Sequence, residues 1–146
     1  MIAVDTNVLV TAHRQDAPRH QAALAAVRGL AEARAPWSIP WPCVHEFLAV
    51  VSHPRIFDPP STIPQALDQV AAWRESASLE LLVESPGYAE RLREVLERSE
   101  VVGPRVHDAR IAALCLHHRV EVLWTADRDF SRFAGLEVTD PLVRSG

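Results

Sequence analysis

MIAVDTNVLV, residues 1–10, sets the fold class. Ile2-Ala-Val4 reads as a short strand that stops at an acid, Asp5. Thr6-Asn7 can cap the next element, and Val8 to His13 reads as a short helix. A strand that ends on a carboxylate and turns at once into a helix is the opening move of an α/β unit. In open parallel sheets, ligands bind beyond the carboxyl ends of the strands, so Asp5 stands where such a fold builds its site.

Past this stretch, the alternation continues. Pro18 opens a second helix, Arg19 to about Arg34, with Ala23, Ala26, Val27 and Leu30 spaced for one face. Trp37-Ser-Ile39 reads as a second strand. Pro42 suits the first turn of a helix running from about Cys43 to Val51, which His53-Pro54 ends. Residues 53–64 (HPRIFDPPSTIP) form a proline-rich ordered loop, and Ser61 or Thr62 caps a helix from about Pro64 to Ser76. Leu79 to Val83 is a third strand. Helices from Ser85-Pro86 to about Arg98 and from about Val106 to His118 come next, separated by a loop at Val101 to Arg105. Val120 to Trp124 is a fourth strand, Thr125 to Phe130 a turn, and Leu136-Glu-Val138 a short last strand. Strands alternating with helices predict an α/β fold of three layers, with a mainly parallel central sheet of 4–5 strands flanked by helices. Its crossovers are expected to be right-handed. Residues 1–140 are expected to form a single domain and 141–146 a C-terminal tail.

Composition narrows the chemistry. A chain of 146 residues with 48% hydrophobic content can bury one substantial core. No apolar run is long enough to span a bilayer, and Asp5 interrupts an apolar start that no basic region precedes. A cytoplasmic protein without a signal peptide is expected. Cys43 and Cys115 form no CxxC pair and sit in apolar sequence, as buried thiols do. No HExxH motif is present, and the adjacent His117 and His118 point apart on a helix, which makes them a poor metal pair. All fifteen basic residues are arginine. With no lysine, Schiff-base chemistry and a P-loop are excluded. The net charge of −4 rules out bulk polyanion binding but not a local basic rim.

Four acids then stand out: Asp5, Glu46, Asp108 and Asp127. Taken singly, each has a plain structural explanation. Asp5 could be a helix cap, Glu46 a solvated helix residue, Asp108 a helix-start acid, and Asp127 and Asp129 turn formers. Taken together, they fall at strand ends and helix starts, which in a parallel sheet share one edge. Carboxylates gathered there repel one another and resist ionisation. A hard divalent cation with a preference for oxygen relieves that conflict.

These residues carry a family resemblance. VDTNVLV (4–10), HEF (45–47), VHDARIAA (106–113) and TADRDFSRF (125–133) resemble the PIN domain, and within it the VapC-type toxin ribonucleases, over Met1 to about Asp140. The resemblance implies catalytic roles for Asp5, Glu46, Asp108 and Asp127, with Asp5, Asp108 and Asp127 as metal ligands. It gives Thr6, Asn7, Thr125 and Asp129 supporting positions. It implies Mg²⁺ or Mn²⁺ as cofactor and hydrolysis of RNA by an activated water, leaving a 5′-phosphate and a 3′-hydroxyl. It also implies a VapB-type antitoxin whose C-terminal segment covers the groove, and a homodimer. The proline-rich loop at 53–64 is less typical of the family and bears on those contacts more than on chemistry.

An acidic pocket needs positive charge at its rim to receive RNA. Arg105, Arg110, Arg128 and Arg132 flank the third and fourth acids and are the candidates. Trp37, Trp41 and Phe57 are candidates for stacking on unpaired bases, although aromatics more often fill cores. Two other readings compete. A phosphatase of the haloacid dehalogenase type needs a second acid two residues after the first and a downstream lysine; this chain has Asn7 and no lysine. A catalytically silent PIN-like module that binds RNA or a partner would have lost acids, and none of the four is lost.

Overall fold

A computed structural model describes residues 1–143. Five strands form one wholly parallel sheet: β1 (Ile2–Val4), β2 (Trp37–Pro40), β3 (Leu79–Leu82), β4 (Val122–Trp124) and β5 (Glu137–Thr139). Their spatial order is β3-β2-β1-β4-β5. The central strand β1 therefore lies between β2, with Ile2 opposite Trp37, and β4, with Val4 opposite Trp124. The chain leaves β1 in one direction through β2 and β3, then returns to the other side at β4. That reversal creates a crevice at the carboxyl ends of β1 and β4, where open α/β sheets bind ligands.

Six helices flank the sheet: α1 (Thr6–His13), α2 (His20–Glu32), α3 (Trp41–Val51), α4 (Ile63–Arg74), α5 (Tyr88–Ser99) and α6 (Val106–His117). Helix α1 packs on α2 and α3, α3 packs on α4, and α5 packs on α6. The core between them contains Leu9, Trp37, Ile39, Phe47, Leu123 and Phe130, each no more than 2% exposed. Burying a side chain such as Phe47 stabilises the fold by roughly 1.5–3 kcal/mol. Among the described residues, no helix is long and apolar enough to cross a membrane.

Several boundaries move for local reasons. Helix α1 starts at Thr6, not Val8, because Asp5 rather than Thr6-Asn7 is its cap. Helix α3 starts at Trp41 with proline in its first turn. Of the two candidate caps for α4, Thr62 is the one used. Its hydroxyl accepts from the Gln65 backbone N–H, and the Gln65 side chain accepts from the Thr62 N–H, a complete capping box. Helix α5 starts only at Tyr88, because Gly87 takes a left-handed conformation (φ +95°) just before it. The expected turn at 125–130 runs into a 3-10 helix, Arg128–Arg132, and β5 begins one residue later than expected. Of the expected tail, Pro141–Val143 lie beside Arg19, whose guanidinium donates to the Leu142 carbonyl at 2.9 Å. Residues 144–146 are outside the described residues.

Candidate active site

Asp5 leaves the end of β1 with an extended backbone (φ −81°, ψ 163°), which suits a helix cap. Its Oδ1 accepts from the Thr6 backbone N–H at 2.8 Å and from the Cys43 thiol at 3.4 Å. Its Oδ2 accepts from the Thr125 hydroxyl at 2.8 Å and from the Asn7 amide at 3.4 Å. The carboxylate is only 5% exposed yet held at both oxygens. Burial raises its pKa, the Thr125, Thr6 and Cys43 hydrogen bonds pull it back, and the Asp127 charge adds to the rise. The net direction is upward, so these neutral donors do not offset the loss of water.

Asn7 and Thr125 tie two distant parts of the chain together. The Asn7 amide donates to Thr125 Oγ1 at 3.0 Å, while its Oδ1 accepts from the Ala126 N–H at 3.0 Å. Thr125 Oγ1 also accepts from the Asp127 N–H at 3.0 Å. The segment after β4 is thus pinned to the first turn of α1, which places Asp127 beside Asp5. Asp127 Oδ1 in turn accepts from the Asp129 N–H at 2.9 Å, closing the turn.

Asp108 sits in the first turn of α6, half-buried. Its pKa is raised by burial first, then by Asp127 and Asp5, with Arg105 opposing. Glu46 is carried on α3, whose Cys43, Val44, Phe47 and Val51 are buried in the core. The glutamate itself is exposed at the lip of the pocket. Desolvation and then the charges of Asp5 and Asp108 raise its pKa. All four acids line one pocket of about 360 Å³. The structure thus brings together the four residues singled out in the sequence.

The donor set fits a hard divalent cation. Four carboxylates face one pocket, and three of them are pushed toward the protonated state by burial and by one another. In addition, the Thr6 hydroxyl lines this pocket, buried, near the Glu46 carboxyl and the Cys43 thiol but in well-formed hydrogen-bond geometry with neither. Polar atoms left this way usually mark a missing water or ion. Among the described residues, no three His, Cys, Asp or Glu side chains already stand close enough together to hold a metal ion by themselves. Acids spread around a pocket suit Mg²⁺, which keeps several waters and needs few direct protein ligands.

Asp129 does not line the pocket. Its side chain turns outward, 3.0 Å from Arg105 and 4.0 Å from Arg132. Arg105 and Arg132 therefore stand beside the acidic edge, each paired with the same exposed aspartate. Arg128 is exposed on that turn. Arg110 is elsewhere, paired with Glu84 beyond the end of β3 at 2.9 Å. The stacking role considered for Trp37 is overturned. Its ring is fully buried, and its indole N–H donates to Ser76 Oγ at 3.1 Å. Trp41 is half-buried, its ring 5.8 Å from that of His45. Phe57, by contrast, does reach the pocket, where it and Ile56 form an apolar wall.

Two features of the site escape the sequence reading. Cys43 looks like a core thiol, yet it donates to Asp5. Its place three residues before Glu46, on the same side of a helix, is the one signal the sequence carries for this contact. Ile56, beside the aromatic candidate Phe57 in the pocket wall, has no such signal, because the proline-rich loop reaches the pocket only through long-range anchors. Arg14 holds that loop, donating to the Pro59 carbonyl at 2.9 Å and lying 4.3 Å over the Phe57 ring.

Comparison with known proteins identifies the family. The family model for the PIN domain matches residues 2–136. Ribonuclease VapC25 of Mycobacterium tuberculosis is 32% identical over 145 residues, covering 98% of this chain and all of the relative. Ribonuclease VapC31 of the same species is 32% identical over 143 residues, covering 97% and 99%. Among solved structures, VapBC2 from Rickettsia felis bound to a promoter DNA fragment superposes with a TM-score of 0.68 at 19% identity, covering 95% of this chain and 98% of its own. VapC20 of Mycobacterium tuberculosis, described as a sarcin–ricin loop cleaving toxin, superposes at 0.67 and 19%, covering 94% and 98%. With a family match over nearly its whole length and full-length relatives at this identity, the chain belongs to the PIN domain family, alongside the VapC ribonucleases.

Proposed function

We propose that this protein is a divalent-metal-dependent endoribonuclease and the toxin of a VapBC-type toxin–antitoxin pair. The observation that carries the reading is the convergence of Asp5, Glu46, Asp108 and Asp127, from four separate segments, on one pocket at the sheet's carboxyl edge. Residues 1–140 act as one nuclease unit. Asp5, Asp108 and Asp127 would hold Mg²⁺ or Mn²⁺. When bound, that ion lowers the pKa of a water and offsets charge on the phosphate and the leaving oxygen.

The chain's own residues do the remaining work. The four donors to Asp5 fix its carboxylate before substrate arrives, so little reorganisation is left for the reaction. Thr125 and Asn7 act as positioning residues for Asp127. Glu46, at the lip and with a raised pKa, would orient the attacking water and accept its proton. The water oxygen bonds to phosphorus as its proton passes to Glu46, the P–O3′ bond breaks, and the 3′-oxygen takes a proton from a solvent water as it leaves. The ribose 2′-hydroxyl takes no part. Arg105, Arg128 and Arg132 meet the backbone phosphates at the acidic edge, with Arg110 farther along the same end of the sheet.

The partner is a VapB-type antitoxin, whose C-terminal segment would cover the groove with a basic side chain among the acids, and the toxin is a homodimer. An RNA substrate and two unbridged cysteines fit the reducing cytoplasm. End-group mapping of RNA cleaved by the purified protein tests the chemistry. Metal-dependent products with 5′-phosphate and 3′-hydroxyl ends are expected. Products ending in 2′,3′-cyclic phosphate, or cleavage unaffected by chelation, would overturn it.

A further inference from the structure

A second pocket, of about 150 Å³, lies between α5, the end of α6, the last residue of the 3-10 turn and the segment before β5. Three arginines line it. Arg91 and Arg98 come from one face of α5, seven residues apart, and Arg132 comes from the 3-10 turn. The single acid in the lining, Glu94, is bonded to Arg91 at 3.3 Å. Arg132 donates through Nε to the Asp129 carbonyl at 3.1 Å and approaches the Asp129 carboxylate at 4.0 Å, and Arg98 has no ion pair among the described residues. The pocket therefore carries an excess of positive charge on a chain whose net charge is −4. Ser99 lines the same pocket, and its hydroxyl is buried with no hydrogen-bond partner. Three arginines against one acid leave this pocket with unspent positive charge, and the planar forks of guanidinium groups match phosphate oxygens.

Its position says which anion. Arg132 belongs to the turn that starts directly after Asp127, and Leu116, which also lines the pocket, lies on α6 eight residues after Asp108. At 1.5 Å rise per residue that is roughly 12 Å along the helix. A single RNA strand spans this distance within a few nucleotides. We infer that Arg91, Arg98 and Arg132 form a secondary phosphate subsite that holds the backbone of the RNA strand a few nucleotides from the bond being cut. The inference rests on the ribonuclease reading and extends it to the path of the substrate. Contacts of this kind carry no base information, so they strengthen binding without setting the cleavage sequence.

Anisotropy of fluorescein-labelled oligouridylates tests it, using an Asp5→Asn background to prevent cleavage. Lengths of about 16 and about 4 nucleotides bracket the reach of a single-strand site. The double variant Arg91→Ala/Arg98→Ala should bind the long RNA roughly tenfold more weakly, with a salt slope shallower by about 1.4, two contacts at about 0.7 each. The short RNA should be unaffected, and in the cleavage-competent protein KM should rise while kcat holds. Arg91→Lys/Arg98→Lys should restore the slope. Unchanged affinity and slope for the long RNA would overturn the subsite alone, with cleavage by the parent still standing. A parent that neither binds nor cuts RNA would overturn both readings. Inorganic phosphate at matched ionic strength should not displace the long RNA. Displacement there would assign the pocket to a free phosphate instead.

Discussion

Asp5 both caps a helix and lines an acidic pocket, and the two roles pull against each other. As a cap, it accepts the Thr6 N–H at 2.8 Å; as a pocket acid, it faces Asp127 and Asp108 while buried from water. The raised pKa values of Asp5, Glu46 and Asp108 record that cost. A carboxyl whose folded pKa lies above its unfolded value contributes stability below the unfolded pKa and loses it as pH rises through the folded one. The chelated protein should therefore gain melting temperature as pH falls from neutral toward the region just above ordinary carboxylate pKa values. Added Mn²⁺ should remove most of that trend. Asp108→Asn should flatten it and raise Tm at neutral pH, by about 2–4 °C for each kcal/mol of repulsion relieved. Parallel pH profiles for parent and variant in EDTA would contradict the electrostatic account. Thr125→Val makes a separate case. It removes the donor to Asp5 Oδ2 and the acceptor of both the Asn7 amide and the Asp127 N–H. A loss of about 1–3 kcal/mol in stability is expected. Activity should fall at least tenfold, with Thr125→Ser recovering most of it; equal rates for Val and Ser variants would refute the positioning role.

Among the elements, local signals are legible in the sequence: a strand stopping at Asp5, proline at the start of α3, a cap before α4, alternation down the chain. Helix α4 provides the direct check on such a signal. Thr62→Ala breaks the capping box and should lower stability by about 1 kcal/mol, seen as a Tm drop of a few degrees with unchanged RNA cleavage. A Tm equal to the parent's would mean that the box adds nothing. The features that cannot be read are set by contacts between distant segments. Whether Trp37 stacks on a base or fills the core depends on Ser76, thirty-nine positions away. Whether Arg110 faces RNA depends on Glu84, and whether Asp129 is a ligand depends on Arg105 and Arg132. The start of α1 differs from expectation for the same reason. Asn7 has the side chain of a cap for its own helix, but that side chain is spent on Thr125 and Ala126.

At the scale of the whole molecule, topology assembles the site. The order β3-β2-β1-β4-β5 brings the ends of β1 and β4 together, although about 120 residues separate them in sequence. Helices α3 and α6 then begin at the same edge and deliver Glu46 and Asp108. This is why four acids with separate bland explanations become one acidic pocket, and why no single segment reveals it. Everything proposed for this protein depends on these acids forming one metal-dependent ribonuclease site. Single-turnover cleavage of an end-labelled RNA by nuclease-free preparations of the parent and Asp5→Asn, each in Mg²⁺, Mn²⁺ and EDTA, decides it. Cleavage by the parent is expected only with metal, and the rate for Asp5→Asn should be lower by about 10²-fold or more, the scale of losing a group that stabilises the transition state. Equal rates for the two proteins, or full activity of the parent in EDTA, would contradict a metal site built on these acids.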